Sequence, residues 1–169
     1  MELYVVRHGI AEEPAADKAD AERALTARGR SRTRQAARGL RVLGCRPERV
    51  ATSPFVRAEQ TARIIARILC PDAPLEVQDY LAPGATARDV IRWLRGCGEE
   101  SALIVGHAPD VSEIAGGLLT QSRVDMVFEK AAACCISFDG TPALASGRLV
   151  WLLQPPVLHA LGARGRAPR

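Results

Sequence analysis

Leu3-Tyr4-Val5-Val6 runs directly into Arg7-His8-Gly9, and this stretch decides how the chain is read. Four apolar residues, two of them β-branched, make a short buried strand. The polar Arg7-His8-Gly9 marks where that strand leaves its sheet. The same pattern returns far along the chain, where the apolar run Ser101 to Val105 stops at Gly106-His107.

Cap and turn signals order the chain outward from these two strands. Residues Ile10 to Glu22 are rich in Ala, Asp and Glu and read as a loop. Thr26 is placed to cap a helix running to about Leu43, with Gly44 as its stop signal. Arg49 to Thr52 reads as a second strand. Ser53-Pro54 then reads as the N-cap and first position of a helix with apolar spacing through Ala58, Ala62, Ile65 and Leu69. Leu75 to Val77 is a short strand. Thr86 caps a helix through Leu94 that Gly96 and Gly98 close, and Pro109 starts another reaching about Leu119. Two late strands, Ala131 to Phe138 and Arg148 to Leu153, flank a loop containing Asp139-Gly140. Strands alternating with helices predict an α/β fold with a largely parallel sheet. One domain is expected over residues 1–156, followed by a basic, flexible tail at 157–169.

Composition narrows the function classes. The 169 residues are 47% hydrophobic and 25% charged, which excludes wholesale disorder, a collagen-like fibre and a coiled coil. No apolar stretch is long enough to span a membrane. Met1-Glu2 leads straight into a strand, whereas a secretory signal needs a basic start and a longer apolar core. A soluble, cytoplasmic protein is therefore expected. Cys45, Cys70, Cys97, Cys134 and Cys135 include no C-x-x-C pair and read as small reduced hydrophobes, not a disulfide framework or zinc site. Basic residues number 23 against 19 acids, and all but Lys18 and Lys130 are Arg. Arg suits bidentate phosphate contacts, although a GC-rich genome produces the same bias. Aromatic residues are only 4%, too few for base-stacking surfaces, so no nucleic-acid partner is expected, nor a membrane.

In an open α/β sheet, ligands lie beyond the carboxyl ends of the strands. His8 and His107 each follow such an end and are predicted to face one crevice. Arg57 sits in the first turn of the helix after the second strand, and that helix N-terminus carries partial positive charge toward the same place. With Arg7, the set makes a site for a tetrahedral oxyanion. His159 has no such context and reads as structural or merely exposed. No carboxylate cluster or Cys/His set shows metal-ligand spacing, so neither metal nor cofactor is expected.

Three motifs stand in order at the ends of these elements: R-H-G at Arg7 to Gly9, S-P-F-V-R-A-E-Q-T-A at Ser53 to Ala62, and V-G-H at Val105 to His107. With them the chain resembles the histidine phosphatase superfamily, in its phosphoglycerate-mutase-like branch. L-T-A-R-G at Leu25 to Gly29 preceded by Arg23, L-A-P-G at Leu81 to Gly84 and the short length make it most similar to the small bacterial phosphohistidine phosphatases of the SixA type. The resemblance spans position 1 to about 154. It implies a three-layer α/β/α sandwich with a mostly parallel central sheet.

The resemblance also implies roles. His8 maps onto the nucleophile, whose ring nitrogen attacks phosphorus to form a phosphohistidine that water cleaves. Arg7, Arg57 and His107 map onto the phosphate pocket, and Gly9 and Arg23 onto further substrate contacts. The attacking nitrogen must be unprotonated, so a backbone carbonyl near Gly9 is expected to hold the other ring nitrogen. Many phosphomonoesterases of the superfamily protonate the leaving oxygen with a carboxylate. Here Glu12, Glu13, Asp17, Asp20 and Asp79 are available without a motif that selects one, and Tyr80 stands where an acid is commoner. A labile P–N bond needs less assistance. The segment between Gly9 and Thr26 is short, which leaves the pocket open to a side chain presented by another protein. The expected substrate is phosphohistidine on a partner of the histidine-containing phosphotransfer type, with phosphate or sulfate as simple site ligands. The alternatives are a phosphatase for small phosphoesters, a mutase, and a catalytically idle phosphate- or phosphoprotein-binding module.

Overall fold

The computed structural model describes residues 1–122 and 124–164. Among them lie the strands β1 (Glu2–Arg7), β2 (Arg49–Thr52), β3 (Leu75–Val77), β4 (Ser101–Gly106), β5 (Ala133–Ser137) and β6 (Arg148–Leu153). The α-helices are α1 (Ala27–Val42), α2 (Val56–Leu69), α3 (Ala87–Gly96), α4 (Asp110–Leu119) and α5 (Pro155–Arg164). The strands form one sheet in the order β3-β2-β4-β1-β5-β6. The first four run parallel, while β5 is antiparallel to both β1 and β6.

Register places the two histidines together. Arg7 lies opposite Gly106 on the neighbouring β1 and β4, so the next residues, His8 and His107, leave the sheet side by side. Thr52 lies opposite Val105, which brings Ser53 to the same edge. The edge is pinned from the other side by Ala131. This residue has φ 72°, and its N–H donates to the carbonyls of Arg7 and His8 at 3.2 and 3.1 Å.

Alternation along β1 divides the core. Leu3 and Val5 face a layer formed with α3 and α4, and Tyr4 and Val6 face α1, α2 and α5. All four are 4% exposed or less, which is why β1 reads as a continuous apolar run. Each buried side chain of this size contributes roughly 1.5–3 kcal/mol. These layers are the expected α/β/α sandwich. Thr26 caps α1 by accepting from the Gly29 N–H at 2.9 Å, an arrangement worth about 1 kcal/mol.

Two sequence-based expectations are corrected. The stretch from 157 does not continue as a flexible tail, because α5 runs to Arg164 and packs on α1 with Leu158 fully buried. The helices meet through glycine: a Cβ on Gly39 would lie 2.1 Å from the Leu158 carbonyl oxygen. Close backbone approach leaves α5 only a weak apolar stripe, so its amphipathic signal is faint. Positions 165–169 of that stretch lie outside the described residues. In addition, α2 starts at Val56 and not at Pro54. The Ser53 hydroxyl accepts from the Phe55 N–H at 3.2 Å and forms a turn ahead of the helix. Among the described residues all five cysteines are free, and no helix is long and apolar enough to cross a membrane.

Candidate active site

A cleft of about 340 Å³ opens at the carboxyl edge of the sheet, lined by Arg7, His8, Arg23, Arg57 and His107 among others. The ring centroids of His8 and His107 are 5.1 Å apart. The cleft is smaller than a groove of about 580 Å³ between α4 and residues 120–122 and 124–128, but the converging titratable groups lie in the cleft. Loop residues 10–26 enter it through the short 3-10 turn Asp20–Glu22, held by Gln60, whose Oε1 accepts from the Leu25 N–H at 2.8 Å.

The protonation pattern of His8 follows from its partners. Its Nδ1 lies 2.7 Å from the Gly9 carbonyl oxygen, which can only accept, so Nδ1 carries the proton. Nε2 therefore holds a lone pair, and the Arg57 Nε–H donates to it at 3.3 Å. Gly9 itself is locked in place. Its N–H donates to Thr61 Oγ1 at 3.0 Å, and Thr61 in turn donates to the Arg57 carbonyl at 2.7 Å. A Cβ on Gly9 would meet Thr33 Oγ1 at 2.4 Å. Both polar groups of Gly9 are thus committed within the protein. The Gly9 carbonyl is the backbone acceptor expected for the second ring nitrogen of His8.

His107 is 3% exposed and is held edge-on against Phe55, 5.1 Å between ring centroids. Its Nε2 lies 2.8 Å from Ser53 Oγ. That hydroxyl already accepts from Phe55 and is free to donate its own proton to Nε2, the tautomer that leaves a proton on Nδ1. His107 Nδ1 and Arg7 Nε are both buried without a hydrogen-bond partner in the protein. The other end of the Arg7 guanidinium donates to the Phe128 carbonyl at 2.7 Å. Buried polar atoms of this kind are rare and call for a functional reason.

Arg57 and Arg23 converge on Asp20. Arg57 donates through Nη1 to the Asp20 carbonyl at 2.6 Å and through Nη2 to its carboxylate at 2.9 Å. Arg23 Nε donates to the other carboxylate oxygen at 2.7 Å, and its Nη1 to the Glu12 carbonyl, also at 2.7 Å. Arg23 thus joins the cleft through Asp20.

The sequence profile of the histidine phosphatase superfamily (branch 1) matches residues 3–82. Over 158 residues the chain is 30% identical to phosphohistidine phosphatase SixA of Escherichia coli, covering 92% of this chain and 94% of that protein. The chain belongs to the histidine phosphatase superfamily. An uncharacterized protein of Picosynechococcus is 39% identical over 116 residues, 67% of this chain and 70% of its own. The structure of the protein histidine phosphatase SixA complexed with tungstate superimposes with a TM-score of 0.82 at 29% identity, covering 94% of this chain and 99% of that one. The chain is accordingly a phosphatase of this superfamily on the phosphoglycerate-mutase-like fold.

Burial and nearby guanidinium groups set the electrostatics of this histidine phosphatase cleft. Burial, then the charges around it, push His8 down to about 3 against the opposing hydrogen bond to Gly9. Burial and Arg57 push His107 down to about 4. Asp20 is held below the usual carboxylate range, first by Arg57, so it stays ionised. Both imidazoles are neutral in the folded protein at pH 7. The unfolded chain takes up their protons below about 6.5, so stability is retained above that pH and lost as pH falls toward 4. At pH 5 the loss is expected to be about 2 kcal/mol per imidazole relative to pH 7.5. Urea melts at the two pH values measure it, and equal midpoints would contradict the buried, neutral pair.

Among the carboxylates considered from sequence, Asp20 is brought into the cleft, as a counter-ion. Glu12 is engaged with Lys18 and the Ala24 N–H, at 2.5 and 3.2 Å. The Tyr80 hydroxyl is buried without a partner and away from the cleft lining. Residues missed from sequence are Lys130 and Asp110 in the lining, and Ser53 and Thr61 as hydrogen-bond supports. Ser53 and Thr61 belong to the S-P-F-V-R-A-E-Q-T-A motif, whereas Lys130 and Asp110 carry no sequence signal.

Proposed function

We propose that this chain hydrolyses phosphohistidine on a partner protein through a covalent intermediate on His8. The single observation that carries the reading is the His8 Nδ1 to Gly9 carbonyl bond of 2.7 Å, which leaves Nε2 with a lone pair beside Arg57. In the first step Nε2 attacks phosphorus, the P–N bond to the substrate imidazole breaks, and that imidazole takes a proton from water. In the second step water attacks phosphorus, the P–Nε2 bond breaks, the proton released neutralises the hydroxide left by the first step, and inorganic phosphate leaves. Arg7, Arg57 and His107 bear on the phosphoryl oxygens, whose charge a preformed set of donors stabilises. Arg7 Nε and His107 Nδ1, buried and unpartnered, fit that role.

A phosphohistidine substrate is favoured by the leaving group. Of the two carboxylates that line the cleft among the described residues, Asp110 accepts from the Gly84 N–H at 3.0 Å and burial pushes it up, while Asp20 is ionised and occupied by two arginines, so it suits a counter-ion better than a proton donor. An imidazole leaving group tolerates that. The likeness to SixA over 92% of the chain supports the same substrate class. The test is turnover of histidine-phosphorylated phosphotransfer domains against phosphoserine and sugar phosphates. Phosphoprotein should be preferred in kcat/KM by ~100-fold or more, on the scale of a few kcal/mol of differential transition-state binding. Equal or better turnover of the small esters would replace this reading with a small-molecule phosphatase.

A further inference from the structure

Helix α1 has the sequence A-R-G-R-S-R-T-R-Q-A-A-R-G-L-R-V, six arginines without an acid. Arg28 and Arg32, one turn apart, line a groove of about 450 Å³ between α1 and α5. This groove is continuous with the catalytic cleft, because Arg7 and Lys130 line both. Among the described residues Glu129 is its one acidic lining residue. Arg28 and Lys130 are exposed, and among the described residues neither makes a side-chain hydrogen bond or ion pair. Arg32 is exposed and meets only His159, at 3.0 Å. Arg49, Arg63, Arg92 and Arg148 are paired with carboxylates. Among the described residues Arg34, Arg38, Arg41, Arg46, Arg67 and Arg88 are as unpaired as Arg28, but they line neither this groove nor the cleft.

Arg28 is also the one position of L-T-A-R-G with a long side chain that the fold does not use. Thr26 caps α1, and Gly29 packs so closely that its Cβ would lie 1.9 Å from the Ile10 carbonyl oxygen. Arg28 beside them points to no partner within the protein. Unneutralised charge at the mouth of a cleft raises the local concentration of an oppositely charged partner and fixes its orientation.

We propose that the α1–α5 groove is a docking surface for an acidic segment of the phosphorylated protein, engaged by Arg28, Arg32 and Lys130 while the phosphohistidine enters the cleft. The occupant is a protein segment carrying Asp or Glu beside its phosphohistidine, and the assignment rests on the substrate reading above. Charge complementarity and the shared Arg7–Lys130 wall argue for it. The groove begins where the phosphoryl group must sit, so a segment flanking the phosphohistidine reaches it directly.

The test compares two substrates on the full chain: a histidine-phosphorylated phosphotransfer domain of net negative charge, and phosphoramidate as a small donor. The double variant Arg28→Glu/Arg32→Glu should lose ~10-fold or more in kcat/KM on the protein, with a flattened dependence on salt. Its turnover of phosphoramidate should stay within ~2-fold of wild type, which also reports an intact fold. Arg28→Lys/Arg32→Lys should retain most protein turnover. Unchanged protein turnover in the Glu variant overturns the docking surface and leaves the substrate reading standing. A wild-type enzyme that cleaves phosphoramidate but no phosphohistidine protein removes the substrate reading, and the docking surface with it. Equal loss on both substrates also overturns it, as does retained protein turnover with lost binding to duplex DNA or anionic vesicles.

Discussion

Turnover in a His8→Ala variant is expected to fall by on the order of 10⁴-fold or more, because the step that forms the covalent intermediate loses its nucleophile. No neighbouring group substitutes for it. His107 is 3% exposed, and its Nε2 is engaged with Ser53. Rapid quench with labelled substrate should show an acid-labile, base-stable phosphate on the wild-type chain and none on the variant. The fold should survive: His8 lies at the sheet edge and not between the layers, so the stability cost at neutral pH is expected to be about 1 kcal/mol. Acid should narrow the difference, since the variant lacks one of the two imidazoles that the unfolded chain protonates below about 6.5. Wild-type turnover in this variant would end the proposed mechanism.

Arg57→Ala should weaken phosphate or tungstate binding by roughly 10–100-fold, the scale of one lost charge-assisted donor. The side chain is 5% exposed and contacts both His8 and Asp20. Its removal takes a donor from the anion and strips Asp20 of one of its two cations, leaving a carboxylate closer to full charge in the same cleft. Both changes act in one direction. Arg57→Lys should recover little, because an ammonium cannot reach Asp20 with two donors and His8 with a third. Isothermal titration with phosphate measures the effect, and an unchanged dissociation constant would remove Arg57 from the anion site.

The sheet and the pairing of His8 with His107 were legible because local and global signals agree along β1 and β4. Both strands are buried on both faces, so they must be continuously apolar, and each ends abruptly at a polar residue where the sheet edge meets the cleft. Thr26 and Thr86 announced their helices, since a cap is a contact between residues three apart. The Gly9 carbonyl was foreseeable as the His8 partner, because chemistry requires an acceptor on one ring nitrogen and the neighbouring backbone offers one.

Contacts between segments distant in sequence stayed out of reach. Asp20 precedes Arg23 by three residues, but its hold on Arg57 spans 37 positions, and nothing in either segment signals the other. Lys130 enters the cleft because Ala131 adopts φ 72° to bind the end of β1, a conformation that an Ala in sequence does not advertise. Helix α5 escaped notice because it is secured by backbone approach at Gly39 and not by a broad apolar stripe. Motif spacing and strand pattern sufficed to specify the α/β architecture and the residues that gather at one edge. Only the tertiary structure decided which proton each imidazole carries, which acid neutralises which arginine, and where unneutralised arginines border the cleft. Those outcomes depend on distances of a few ångströms between segments that the chain brings together only by folding.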